Sequence, residues 1–292
     1  MLGSRRLVTL SLEGTWLRLV GVRGREVEYW ADIPFDERLL HEGFIGDRQA
    51  LGAVIGETFR SRGLPRSRVV AALPGLKAVA RLVTLPGPIS NLEAAIAAEA
   101  PKVLPETLVD FNLYWQALDS RSSPRLRVFL LATPREAVLS LVETLRLAGI
   151  QPLALDLKPL ALYRALPVRD AIIANLESTT LDVVIVSNDL PVLLRTVFLG
   201  DGTAAPEFLR GRLTDELART IRYYQDTHRA NPLPAGAPVF LSGDDVSEAG
   251  LVATVEALTG HPVEPLRVPF TYPRDFPVER YLVNLGLALK SL

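Results

Sequence analysis

The sequence predicts a two-lobed α/β fold, and the observation that carries most of that prediction is an internal repeat. Residues 6–33 read as three successive strands joined by tight turns, and residues 171–200 read as three more, so each half opens with the same meander. Both halves then continue with alternating helices and strands. At 292 residues, 48% of them hydrophobic, the chain can give each lobe its own core.

The elements follow in order from periodicity and punctuation. Alternating and β-branched runs mark strands near 6–13, 15–22 and 26–33, and the amphipathic "RQALGAVIGETFRSRG" marks a helix near 47–62 that stops at Gly63. "SRVVAALPG" reads as a short buried strand, and "AVARLVTLPGP" as a strand stopped by Pro86 and Pro88. "SNLEAAIAAEAPKVLP" is an alanine-rich helix capped at Ser90 and Asn91 and running to about Lys102. A half-solvated strand "LVDFNLYWQAL", a loop "SRSSP", a strand "RLRVFLLATP" and a helix "REAVLSLVETLRLAG" ending at Gly149 complete the first half. "LDLKPLALYRALP" is expected as a helical joint between lobes. After the second meander come a helix over about 206–228, the strand and turn "APVFLSGDD", a helix near 247–259 and a last helix near 278–291.

Composition excludes several functions. Cysteine is absent, which removes disulfides, thiolate metal sites and a cysteine nucleophile, and fits a reducing compartment. A formal net charge of −1 with no long run of one sign gives no surface for nucleic acid. The opening "MLGSRRLVTLSLEG" has an apolar run too short for a signal peptide or a membrane span, so a cytoplasmic chain is expected. Lysine occurs only at Lys77, Lys102, Lys158 and Lys290, whereas arginine is abundant. His41, His228 and His261 lie far apart without ligand spacing, and no Gly-x-x-x-x-Gly-Lys-Ser/Thr loop occurs, "LPGLKAV" being only superficially similar.

Four stretches are specific together. "VVAALPG" (69–75), "RLVTLPGPISNLEAAIAAEAPKVLPETLVDFNLYWQAL" (81–118), "RVFLLATPREAVLSLVETLRLAGIQPLALDLKPLALYRAL" (127–166) and "YLVNLGLALK" (281–290) resemble the type IV pilus assembly protein PilM family, in the family's order and over most of the chain. The resemblance implies an actin-like (ribonuclease H-like) two-lobed fold with a PilM-type insertion subdomain, in which ATP and magnesium occupy the cleft. It places the N-terminal lobe at 1–166, with the insertion at about 34–120. The C-terminal lobe would span 167–292, with a shortened subdomain at about 205–235 and a last helix free to return to the first lobe. It also implies a partner, the cytoplasmic tail of a PilN-like inner-membrane protein, and so a peripheral place at that membrane. The candidate partner groove is Leu82, Leu85, Pro86, Ala95, Ile96, Glu99, Leu104, Phe111 and Trp115, with core packing as the plainer alternative for these positions. Self-association is left open.

In actin-like ATPases the meander turns are phosphate clips that typically carry Asp-x-Gly, the aspartate organising magnesium and the glycine letting backbone N–H groups approach phosphate. The matching positions here are Ser11 and Glu13 in "LSLEGT", and Asn175 and Glu177 in "ANLEST". A carboxylate about 4 Å from one phosphate charge costs roughly 1 kcal/mol in water and about 4 kcal/mol at an effective dielectric near 20. Two of them weigh against ATP, although a glutamate in a turn is ordinarily solvated and harmless. No lysine is expected near either clip, and Arg18 stands where the family often has lysine. The adenosine turn "LSGDD" keeps Gly243 but follows it with Asp244, and the subdomain over the base is truncated.

The expectation is therefore a degenerate cleft. Gly14, Thr15, Arg18, Ser178, Thr179 and Gly243 remain for any nucleotide, no catalytic or metal-ligating residue is assigned, and Asp244 and Asp245 read as a turn or cap. Asp156 has two readings, a cleft residue or a helix cap. The favoured function is a pilus-assembly scaffold without ATP hydrolysis. Its rivals are an active Mg-ATP-binding ATPase of the pilus machine and a GspL-like type II secretion component.

Overall fold

Strand-forming runs separated by tight turns build two sheets of the same plan in the computed structural model, which describes residues 6–104, 108–120, 123–244, 246–248 and 250–291. The first meander is β1 (Leu7–Glu13), β2 (Trp16–Arg23) and β3 (Glu26–Pro34), turning at Gly14 and Gly24. A small hairpin, β4 (Leu40–His41) and β5 (Phe44–Ile45), precedes α1 (Arg48–Ser61), which Asp47 caps by accepting from Ala50 N. Two-residue strands leave no apolar periodicity, and the sequence does not signal this hairpin.

Next come β6 (Val69–Leu73), β7 (Val79–Pro86) and α2 (Leu92–Val103), the last capped by Asn91. β8 (Phe111–Ala117), β9 (Arg125–Pro134), α3 (Arg135–Leu147) and β10 (Ala154–Leu157) complete the first half. The expected helical joint at residues 155–167 divides: its start belongs to β10 and only α4 (Lys158–Ala165) is helical. Pro159 in the first turn supplies the break. The second half runs β11 (Ala171–Leu176), β12 (Thr180–Ser187), β13 (Leu190–Phe198), α5 (Pro206–Thr227), β14 (Val239–Gly243), α6 (Leu251–Thr259) and α7 (Leu282–Leu289).

The first sheet has the order β10-β6-β1-β2-β3, and the second β13-β12-β11-β14. In each, an antiparallel meander gains a parallel strand beside its first member: β6 on β1, and β14 on β11. The repeat seen in sequence is thus a repeat of topology.

Helices cover both faces of both sheets. α4 and α7 lie between the sheets in one core with Val20, Val70, Ile173, Val184 and Phe240. They cross so closely that a Cβ on Gly286 would fall 1.8 Å from the Ala161 carbonyl oxygen. The last helix therefore packs on the first sheet. α1 and α3 cover that sheet's outer face, α5 and α6 the outer face of the second. A separate three-stranded sheet, β7-β9-β8, carries its own core with α2. This smaller unit draws on residues 79–134, while α1, within the span expected for the insertion, packs with the first sheet instead.

Candidate functional site: two clips and a groove

Each clip is the turn between the first two strands of a meander. β1 ends at Glu13, paired with Trp16, leaving Gly14 and Thr15 as a two-residue turn. Gly14 has φ +58°, a conformation that costs glycine nothing. In the second lobe Leu176 pairs with Leu181, and Glu177 N–H donates to Thr180 O at 2.8 Å. The two turns meet: a Cβ on Gly14 would lie 1.9 Å from Ser178 Oγ. Gly202, after β13, covers the second turn, with a Cβ there 3.3 Å from Thr179 Cγ2. Gly243 (φ +101°) presses against the same clip, and its N–H donates to Glu279 O at 2.9 Å.

Neither glutamate is solvated; each is 1% exposed. Glu13 Oε2 lies 2.5 Å from Lys158 Nζ, and that ammonium is also 3.5 Å from Asp182 Oδ2. The expectation that no lysine approaches a clip is corrected. Lys158 opens α4, where the positive end of the helix dipole disfavours a cation, and the carboxylates facing it offset that cost. Arg18 spans the lobes from β2, donating to Glu177 Oε1 and Asp244 Oδ1, both at 2.8 Å, and to Arg280 O at 3.0 Å. The residues standing for the missing aspartates have structural partners. Ser11 Oγ donates to Asn284 of α7 at 3.1 Å, and Asn175 Oδ1 accepts from Ser242 Oγ at 2.9 Å.

Among the described residues, the enclosed ionisable groups at the clips are Glu13, Glu177 and Asp182 against Arg18 and Lys158. One acid is in excess, and Glu177 takes up the imbalance. Burial drives its carboxyl well above the usual range, Arg18 opposes the shift, and Glu13 and Asp244 add to it. Burial alone would lower Lys158, but Glu13, Asp182 and Glu177 outweigh it and hold the ammonium above its ordinary value.

At the clips this arrangement opposes the charge of Mg-ATP. A triphosphate would add negative charge beside the buried carboxylates, and Gly14 and Ser178 stand directly against each other, while a concavity of about 440 Å³ lined by Gly14, Thr15, Thr179 and Asp201 opens beside them. The enclosed cavity beside the clips, lined by Gly14, Lys158, Thr179 and Thr180, measures about 30 Å³, room for a water or two. Among the described residues no three histidine, aspartate or glutamate side chains converge as a metal-binding set, and Asp245 lies outside those residues.

A family model described as type IV pilus assembly protein PilM matches residues 19–193, more than half of the chain. The chain belongs to the PilM family. Among solved structures, a PilM-PilN type IV pilus biogenesis complex matches with TM-score 0.78 at 22% identity, covering 98% of each chain. The cytoplasmic domain of EpsL, an inner-membrane component of the type II secretion system of Vibrio cholerae, matches with TM-score 0.53 at 13% identity, covering 99% of this chain and 96% of that one. A Bacteroides thetaiotaomicron protein with an actin-like ATPase fold and unknown function matches with TM-score 0.51 at 10% identity, covering 98% and 96%. Among curated proteins no sequence match is found. These likenesses establish the actin-like fold for this PilM-family chain.

A larger concavity of this PilM-family chain lies beside the three-stranded sheet. It measures about 730 Å³ and is walled by Trp115, Phe129 and Leu131 of β8 and β9, by Leu155, Leu157 and Leu160 of β10 and α4, and by Leu190 and Pro191 of the second lobe. Of the nine sequence-predicted groove residues, only Trp115 lines it. Leu85, Ile96 and Leu104 are buried in the core under α2, where Ala95 and Phe111 also pack. Leu82 and Pro86 are exposed on β7 and Glu99 half-buried on α2. Asp156 reaches neither clip and caps no helix; it lines this groove, paired with Arg164 and Lys290. Sequence reasoning missed Lys158, Asp182, Arg164 and Lys290. The scarcity of lysine was the available signal, since two of the four mark these two sites.

Proposed function

We propose that the chain is a cytoplasmic scaffold of type IV pilus assembly, peripheral at the inner membrane, which holds the tail of a PilN-like protein and does not hydrolyse ATP. The observation that carries the partner reading is the groove. Its volume of about 730 Å³ and its leucine, tryptophan and phenylalanine walls suit an extended apolar peptide. The absence of hydrolysis is supported by the ion-paired, touching clips.

Titration calorimetry of the intact protein with a synthetic PilN-like tail peptide tests the partner. Saturable binding, on the order of micromolar, is expected, and no binding with or without nucleotide removes the reading. Calorimetric melting with Mg-ATP at a hundred times a Kd of ~10 μM tests the cleft. A working site would gain about 2.7 kcal/mol, whereas no shift is expected here.

A further inference from the structure

We propose that Asp156, Arg164 and Lys290 form a carboxylate-reading subsite in the groove, so that the bound segment is an apolar peptide carrying one aspartate or glutamate among its anchors. This rests on the peptide reading of the groove and adds to it the chemistry of the side chain selected.

Among the described residues these three are the only charged groups lining the groove. The Asp156 side chain is 4% exposed and both its oxygens are engaged, Oδ2 by Arg164 and Oδ1 by Lys290 at 3.3 Å. One carboxylate thus holds two cations, and the set carries a surplus positive charge. Neutralising Asp156 requires only one of them. Arg164 Nη1 also donates to Gly286 O at 3.3 Å, so Arg164 Nη2 and Nε and two of the Lys290 N–H groups have no partner among the described residues. The arginine and lysine side chains are 29% and 34% exposed, within reach of an incoming group. Surplus donors and surplus charge beside leucine walls favour an acceptor that brings its own negative charge.

The same surplus rejects basic side chains. Cytoplasmic segments next to a membrane span are enriched in lysine and arginine. The acid-bearing apolar stretch of such a tail therefore docks at a distance from the membrane, and the basic stretch stays outside the groove.

Selection from a displayed random peptide library on the intact protein tests the subsite without presupposing the partner. Wild type is expected to enrich apolar peptides containing Asp or Glu, and replacing that acid with Leu in a selected peptide is expected to cost about tenfold in affinity, since both cations are partly exposed. Arg164→Met and Lys290→Met each lose the acid preference while still enriching apolar peptides, and Lys290→Arg keeps it. Lys290 follows α7 with its side chain 34% exposed, so its variants remain informative if Arg164→Met fails to fold. Enrichment without an acid preference, or a preference that survives in the Met variants, overturns the subsite, and so does a selection that enriches nothing. A PilN-like tail that fails to bind while acid-bearing apolar peptides do would sink the partner assignment and leave the subsite standing.

Discussion

Gly14 and Ser178, from opposite lobes, are in contact: a Cβ on the glycine would stand 1.9 Å from the serine Oγ. The two lobes meet at this pair. Gly14→Ala would add that clash to the strain of a non-glycine residue at φ +58°. The expected loss is about 3 kcal/mol or more in urea unfolding. Ser178→Ala removes Oγ and should recover the clash but not the backbone strain, so a double-mutant cycle should show coupling of ~1 kcal/mol or more. Additive losses would mean that the clips do not touch in solution.

Lys158 sits between Glu13 and Asp182, both without solvent access. Lys158→Met leaves two buried carboxylates unpaired, and breaking such a pair from one side costs about 3–5 kcal/mol. Glu13→Gln together with Lys158→Met should lose less than the two single losses combined, because the double variant keeps fewer uncompensated charges. Unfolding midpoints of the three variants decide the matter.

Glu177 ties pH to stability. Its folded-state carboxyl binds its proton more tightly than the unfolded one, because burial raises it and Arg18 opposes incompletely. Where the folded state holds the extra proton, stability falls as pH rises. The contribution is therefore complete below about pH 4.5, the unfolded value, and is lost as pH climbs toward the raised folded value. Glu177→Gln, which cannot release a proton, should flatten that decline and leave the variant relatively more stable at pH 8 than at pH 5. An unchanged slope would show that Glu177 does not hold the excess proton.

The parts legible in sequence were those written in local pattern. The repeated meander, the glutamates at equivalent turns and the helix cap Asn91 all rest on residues a few positions apart. Lys158 pairs with Glu13 only because α4 is placed between the two sheets, a relationship no window of sequence contains. The predicted groove residues fall apart in the structure for a different reason. Alternation along β7 separates Val83 and Leu85 from Leu82 and Thr84 but does not say which set faces α2. The helix took one face, and the groove formed on residues of β8, of β9, of the continuous β10–α4 run and of β13, from separate stretches of chain.

Trp115 and Ile96, both read from sequence as groove residues, now separate binding from folding. Trp115 is half-buried and lines the groove, whereas Ile96, on the buried face of α2, is 2% exposed. Removing an aromatic anchor from an interface commonly costs 2 kcal/mol or more, so Trp115→Ala should weaken a bound tail peptide by roughly thirtyfold. Its effect on unfolding should be smaller than that of Ile96→Ala, which empties a core site at a cost of about 2–5 kcal/mol. Ile96→Ala, measured where it remains folded, should bind the peptide as wild type does. Peptide anisotropy and urea unfolding on the two variants give four numbers, and the prediction is that the losses fall on opposite axes. If Ile96→Ala instead weakens the peptide as much as Trp115→Ala while both unfold alike, the bound segment lies against α2 and the groove beside α4 is not its seat.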